Sequence, residues 1–300
     1  MGGADPHTLA GTLTIPIARV SKTTRRFPAV VTITGSGLEN RDESIPIVPG
    51  YRPFRDIADT LGRRGIAVLR LDDRGFGGST GNGGAATSAD FADDIRAALA
   101  WLRTRPDMDP RRLGLVGHSE GGMIAPMIAA TDSTLRAIVL MAGPSETGRA
   151  IVAYQNRYAV EHDSAIPPAH WDSVLAAAAH EVDSLAATRP WVRFFLDYDP
   201  LATARKVHRT PVLILQGAND RQVTMGQADS LAAAFRAGGN RDVTVRVFPG
   251  TNHLFLADTS GNPGGYASLT DTHVRRDVLG TLADWLATHL DATPRPGRAP

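Results

Sequence analysis

The chain has 300 residues, 42% of them apolar and 21% charged, enough to bury a sizeable core and too apolar for a disordered segment. Thirty-two basic against thirty-one acidic side chains leave a net charge of +1, which excludes the basic field of a nucleic-acid binder and the cationic face of a membrane-surface protein. The absence of cysteine excludes disulfides, thiolate metal sites, iron–sulfur clusters and a cysteine nucleophile together.

At the start, Met1-Gly2-Gly3-Ala4-Asp5-Pro6 has neither the basic region nor the apolar stretch of a signal peptide. The compartment stays open: cytoplasmic, or periplasmic or secreted after removal of a leader. The first strand is expected over Leu9–Ala18, leading through Ser21-Lys22-Thr23-Thr24-Arg25-Arg26 into a second over Ala29–Thr34, the two reading as an antiparallel hairpin at one sheet edge. Further strands are expected over Ile66–Leu71, Leu113–Val116, Ala137–Met141, Val212–Gln216 and Val243–Phe248. Several are continuously apolar, as strands covered on both faces are. Between them lie helical patterns over Phe54–Arg64, Ser88–Arg103, Glu120–Ala130, Thr224–Ala237 and His273–His289. In the second, Phe91, Ile95, Ala98, Leu99 and Leu102 share one face. Alternating strands and helices predict an α/β fold with a mostly parallel sheet and helices on both sides.

From about Pro144 to Arg205 there is no strand pattern, only helical spacing and seven aromatics, with Pro167-Pro168 starting a helix over His170–Ala187. This segment is too short to stand alone. The expected organisation is a core of 9–143 and 206–290, a helical cap over 144–205 packed on it, and an unstructured proline-rich tail over 291–300. No apolar run approaches the roughly 18 residues that span a bilayer.

Gly117-His118-Ser119-Glu120-Gly121 is a Gly-x-Ser-x-Gly placed where a strand ends and a helix begins. A serine on such a strained turn needs Gly117 and Gly121 beside it to avoid clashes with strand and helix. The turn exposes Oγ, and the N–H of Glu120 opens a helix N-terminus, where an oxyanion is stabilised. After the Val212–Gln216 strand comes Gly217-Ala218-Asn219-Asp220, an acid on a loop. After Val243–Phe248 comes Pro249-Gly250-Thr251-Asn252-His253, a histidine in the equivalent place. Ser119, Asp220 and His253 thus follow one triad order, all at the carboxyl ends of strands, where open parallel sheets form their sites. Asp197 and Asp199 are rival acids but precede their strand rather than follow it.

The chain resembles an α/β-hydrolase over about residues 9–290, and more narrowly bacterial carboxylesterases and hydrolases of the serine-aminopeptidase-like group. Four stretches carry the likeness. They are Ile33-Thr34-Gly35-Ser36-Gly37 with Arg41-Asp42-Glu43; Arg64–Gly75; the Gly117–Gly122 elbow; and Phe194–Pro200. Leu38 stands where relatives usually carry proline. The resemblance implies Ser119 as nucleophile, His253 as base and Asp220 as its orienting partner. It implies Glu120 N–H as one oxyanion donor and a second from the loop after the Ala29–Thr34 strand, Ser36 N–H by preference, with Gly37 next.

Around these, His118 reads as a packed elbow residue rather than a second base. Asp72, Asp73 and Arg74 read as braces under the site. Arg41, Asp42 and Glu43 either line the pocket entrance or form a solvated charge run. Trp191, Phe194 and Phe195 are candidates for the pocket wall. Gly75–Thr80 and Gly35–Asn40 both miss the last glycine of a dinucleotide-binding motif, neither lysine follows a P-loop glycine, and no H-E-x-x-H occurs. No metal and no organic cofactor is implied. The expectation is a serine hydrolase of short to medium acyl esters with a small-molecule substrate and no nucleic-acid or membrane partner. Aminopeptidase, thioesterase and amidase chemistry on the same triad are the alternatives, with a non-catalytic binding relative from another class. A homodimer through the cap or an edge strand is compatible with the sequence but has no specific support in it.

Overall fold

The computed structural model describes residues 6–17 and 26–292. Seven strands form one sheet: β1 (Gly11–Thr14), β2 (Phe27–Ile33), β3 (Ala67–Leu71), β4 (Met108–His118), β5 (Ala137–Met141), β6 (Val212–Gly217) and β7 (Val243–Phe248). Their order is β1-β3-β2-β4-β5-β6-β7, antiparallel at β1 and parallel elsewhere. The helices are α1 (Pro53–Arg63), α2 (Ser88–Thr104), α3 (Glu120–Ala129), α4 (Gly148–Glu161), α5 (Trp171–Thr188), α6 (Pro190–Asp197), α7 (Pro200–Ala204), α8 (Gly226–Ala237) and α9 (Arg276–His289).

The continuous apolar strands are read by both sides of the sheet. Leu115, Ile138, Leu140 and Ile214 face one core layer with Ile95 and Leu99 of α2, Ile124 and Ile128 of α3, and Leu231 and Phe235 of α8. Val116, Val139, Leu213 and Leu215 face the other, with Phe54, Ile57 and Leu61 of α1 and Val278, Leu282 and Leu286 of α9. A strand buried on both faces cannot alternate apolar with polar, which is why periodicity alone did not separate its faces.

The hairpin expected at the edge does not form. The first strand is shorter than Leu9–Ala18 and pairs with β3, Gly11 opposite Leu71, while β2 lies between β3 and β4. The burial pattern supplies the reason. Six of the seven β2 residues are buried, so β2 requires a neighbour on each side, and the α1 crossover brings β3 alongside it in parallel. β1 has no buried residue and suits the outer edge. Ala18 and the connecting residues Ser21–Arg25 lie outside the described residues.

The segment between β5 and β6 holds no strand but α4, α5, α6 and α7, with α5 within one residue of the expected helix at each end. The first three pack on one another, whereas α7 packs on α8 and α3. Of the expected tail, Asp291 accepts from Arg112 Nη1 through its carbonyl, and Ala292 is buried beside α9. Residues 293–300 lie outside the described residues. No helix among the described residues is long and apolar enough to cross a membrane.

Candidate active site

Every part of the site sits where a parallel strand ends: the 34–37 loop after β2, the elbow after β4, Asp220 after β6 and His253 after β7. Ser119 takes φ 52° and ψ −116°, a conformation that L-residues hold only when their surroundings over-determine it. Its N–H donates to the Met141 carbonyl at 2.8 Å, and its carbonyl accepts from Gly122 N at 2.9 Å. A Cβ on Gly117 would strike the Gly121 carbonyl, and one on Gly121 would strike the carbonyls of Ile33 and Thr34. Both glycines are therefore required by backbone contact, as the motif predicts.

Asp220 is 1% exposed and fully engaged. Oδ1 accepts from the N–H groups of Gln222 and Val223, and Oδ2 from Gln216 Nε2 at 3.0 Å and His253 Nδ1 at 2.8 Å. The rival acids stand elsewhere: Asp199 caps α7 through Ala202 N and Asp197 is exposed. His253 is held by a tight loop in which Asn252 Oδ1 accepts from Leu254 N and Leu256 N, both at 3.0 Å. Ser119 and His253 line one cavity of about 410 Å³.

Ser36, Glu120, Trp191 and Phe195 line this cavity too. Phe195 stacks on Trp191 at 5.1 Å between ring centroids. Phe194 does not line it; the helical repeat of α6 turns its ring away to stack on Tyr198 at 5.4 Å. Trp191 Nε1 donates to Glu120 Oε1 at 2.9 Å, as does Ser88 Oγ at 2.6 Å. Burial pushes the Glu120 carboxyl up from its ordinary range.

The charged run resolves residue by residue. Arg41 pairs with Asp72, whose other partner is Gly78 N; burial would raise the Asp72 carboxyl, yet these bonds hold it at about 2. Arg74 clamps Asp94 with two nitrogens at 2.6 Å, and Asp42 pairs with Arg70. Asp73 accepts from Thr34 Oγ1 and Glu39 N, tying the 34–39 loop down, and burial pushes its carboxyl up to about 7. Asp72, Asp73 and Arg74 are the braces expected from the sequence, whereas Arg41 and Asp42 are held in ion pairs and neither line the cavity nor form a solvated run.

Glu43 follows the first of the two expectations for it, at the cavity, but as a buried group rather than an entrance charge. It is 2% exposed and lines the cavity, with φ 56° and with Oε1 accepting from Gly35 N at 2.7 Å and His118 Nδ1 at 2.9 Å. Glu39 also accepts from Gly35 N, at 3.2 Å. Burial first, and then the neighbouring Glu43 charge, push the Glu39 carboxyl up to about 9. His118 is packed as predicted, its Nε2 donating to the His253 carbonyl at 2.9 Å. Burial opposes its charged form, but the Glu43 charge and hydrogen bond with the His253 carbonyl together outweigh this and hold it at about 9. Sequence reasoning missed Glu39 and the pairing of Glu43 with His118. Their only signal was a pair of carboxylates, four and eight residues after Gly35, in a loop expected to approach the elbow.

Comparison with known proteins agrees with this architecture. The family profile described as serine aminopeptidase, S33, matches residues 50–260. Esterase EstD of Thermotoga maritima is 28% identical over 285 residues, 93% of this chain and 65% of its own length. Dipeptidyl aminopeptidase BIII of Pseudoxanthomonas mexicana is 28% identical over 203 residues, 65% of this chain and 27% of its own length. The chain thus spans less than two thirds of either relative. Among solved structures, Est1E from Butyrivibrio proteoclasticus superposes with a TM-score of 0.61 at 15% identity, covering 96% of this chain and 97% of that one. The α/β hydrolase GrgF from Penicillium sp. sh18 does so with a TM-score of 0.62 at 17% identity, covering 95% and 99%. With its elbow, its strand order and the profile match over most of its length, the chain belongs to the serine aminopeptidase S33 family and has the α/β-hydrolase fold.

Proposed function

We propose that the chain is a serine hydrolase of uncharged carboxylic esters, acting through an acyl-enzyme on Ser119. The observation that carries this reading is the hydrogen bond from His253 Nδ1 to the buried Asp220, on a histidine that shares its cavity with a strained elbow serine. With Nδ1 held by Asp220, Nε2 is the nitrogen that takes the Ser119 proton, and the adjacent carboxylate stabilises the imidazolium that forms. Attack by Oγ gives a tetrahedral oxyanion, for which Glu120 N–H is one donor. In the facing loop, Gly35 N is already taken by Glu39 and Glu43, which supports Ser36 N–H as the second donor, with Gly37 after it. His253 then returns the proton to the leaving alcohol. A water activated by the same histidine releases the acid.

The lining favours an ester over the family's peptide chemistry. An α-amino group needs an ionised carboxylate free to receive it. Here Glu39 and Glu120 are pushed toward their neutral forms, and Glu43 is compensated by His118. No lysine or arginine lines the cavity among the described residues, so a phosphate-bearing thioester has no counter-charge either. The helices between β5 and β6 are read as a cap whose Trp191 and Phe195 meet the acyl group.

The test is hydrolysis of p-nitrophenyl acetate, butyrate, octanoate and palmitate by wild type beside Ser119→Ala. Turnover on the shorter chains should fall by roughly 10³-fold or more in the variant. Folded wild type that turns over none of the four overturns the ester reading, and aminoacyl amides and thioesters are then the substrates to assay.

A further inference from the structure

The Glu120 side chain does more than its place beside the nucleophile requires. An oxyanion donor at this position needs only a backbone N–H, yet the residue is 2% exposed and its carboxyl gathers donors from two separate parts of the fold. Oε1 receives Ser88 Oγ, from the first residue of α2, and Trp191 Nε1, from α6 of the insertion. Ser36, in the loop after β2, lines the cavity beside this carboxyl and favours its ionised form. Burying a carboxyl is costly unless its oxygens are satisfied, so these donors and the carboxyl hold one another in place. Ser36, Glu120 and Trp191 all line the cavity that contains Ser119. Trp191 carries Phe195 with it in a parallel stack, so one hydrogen bond anchors both aromatic rings to the elbow.

We propose that Glu120 is a positioning residue that locks Trp191 to the elbow, so that the wall against which the acyl group rests and the Glu120 N–H oxyanion donor form one rigid unit. The proposal rests on the serine-hydrolase reading above and deepens it: the acyl-group preference and the rate of acylation are set through one side chain. In the absence of the lock, the aromatic pair relaxes independently of the elbow. A misplacement of well under 1 Å at the oxyanion is enough to slow the chemistry.

The experiment uses the full chain as wild type, Glu120→Ala, Glu120→Gln and Trp191→Phe. Two readouts are taken: kcat and KM on the acetate, butyrate and octanoate esters, and the rate at which a p-nitrophenyl alkylphosphonate labels Ser119. Glu120→Ala should lower both kcat and the labelling rate roughly 10- to 100-fold and flatten the chain-length preference. Glu120→Gln keeps an acceptor oxygen for Ser88 and Trp191 and should recover to within about threefold of wild type. Trp191→Phe keeps a ring but loses the N–H; it should flatten the chain-length preference with a smaller loss of kcat.

Folded Glu120→Ala with wild-type labelling and an unchanged preference overturns the lock. So does Glu120→Gln as impaired as Glu120→Ala, since the effect would then belong to the acid rather than to the acceptor. If Glu120→Ala does not fold, the other two variants decide: an unchanged preference in Trp191→Phe overturns the proposal, and a flattened one beside a recovered Glu120→Gln supports it. If wild type is labelled yet cleaves no ester, the ester reading fails, and the labelling rates alone judge the lock.

Discussion

Burial decides the protonation of Glu39. Its carboxyl sits beside Glu43 on the shared Gly35 N–H, and its folded value of about 9 lies far above the 4.5 of a free glutamate. A carboxyl raised in the folded state costs nothing below its unfolded value and destabilises progressively as pH climbs toward the folded one. Glu39→Gln should therefore raise Tm by a margin that grows from about pH 4.5 to about pH 9 and levels off beyond, measured by thermal melts across that range. A gain independent of pH would show that Glu39 is ionised throughout. The His118 imidazolium acts in the same direction over a narrower window. Raised from 6.5 to about 9, its pairing with Glu43 stabilises fully below 6.5 and is lost as pH rises through 9. The variant should thus keep a residual alkaline loss confined to that interval.

At the scale of elements, α2 shows how a local signal fixes a boundary that the site depends on. Thr87 caps the helix, its hydroxyl accepting from Asp90 N while Asp90 Oδ2 accepts from Thr87 N at 2.8 Å. The next residue, Ser88, is the donor to Glu120, so the cap sets where that hydroxyl points. Thr87→Ala should lower unfolding stability by about 1 kcal/mol, seen as a lower urea midpoint with an unchanged slope. A loss well below this would mean that tertiary packing, not the cap, places the helix start. The elbow is the opposite kind of element. Its glycines are demanded by backbone contacts, Gly117 by the Gly121 carbonyl and Gly121 by the end of β2.

Across the whole molecule, the layers contribute unequally to stability. Leu115 of β4 is fully buried among α2, α3 and the central strands. Leu175 of α5 is half-buried against α4, and α5 packs chiefly on α4 and α6 rather than on the sheet. Leu115→Ala should cost about 2–5 kcal/mol and Leu175→Ala less than about 1, compared by denaturant unfolding. Equal losses would show that Leu175 is held as tightly as the sheet core. The insertion is thus the layer whose loosening costs the fold least, while Ser119, Asp220 and His253 stay on strand ends of the rigid sheet.

The sequence by itself determined the succession of strands and helices, the elbow, and the placement of Ser119, Asp220 and His253 at strand ends. Each of those is written in a few consecutive residues: an apolar run, a glycine pair, an acid or a histidine just past a strand. The tertiary structure alone decided which strand β1 pairs with, because the burial of β2 on both edges is a property of the assembled sheet. It alone turned Phe194 out of the cavity and brought in Glu39 and Glu43. Glu43 meets His118 across 75 residues, and Trp191 meets Glu120 across 71. No periodicity reports contacts that crossover connections create. Nor does composition reveal which carboxyls are protonated, since burial, and not residue type, sets that.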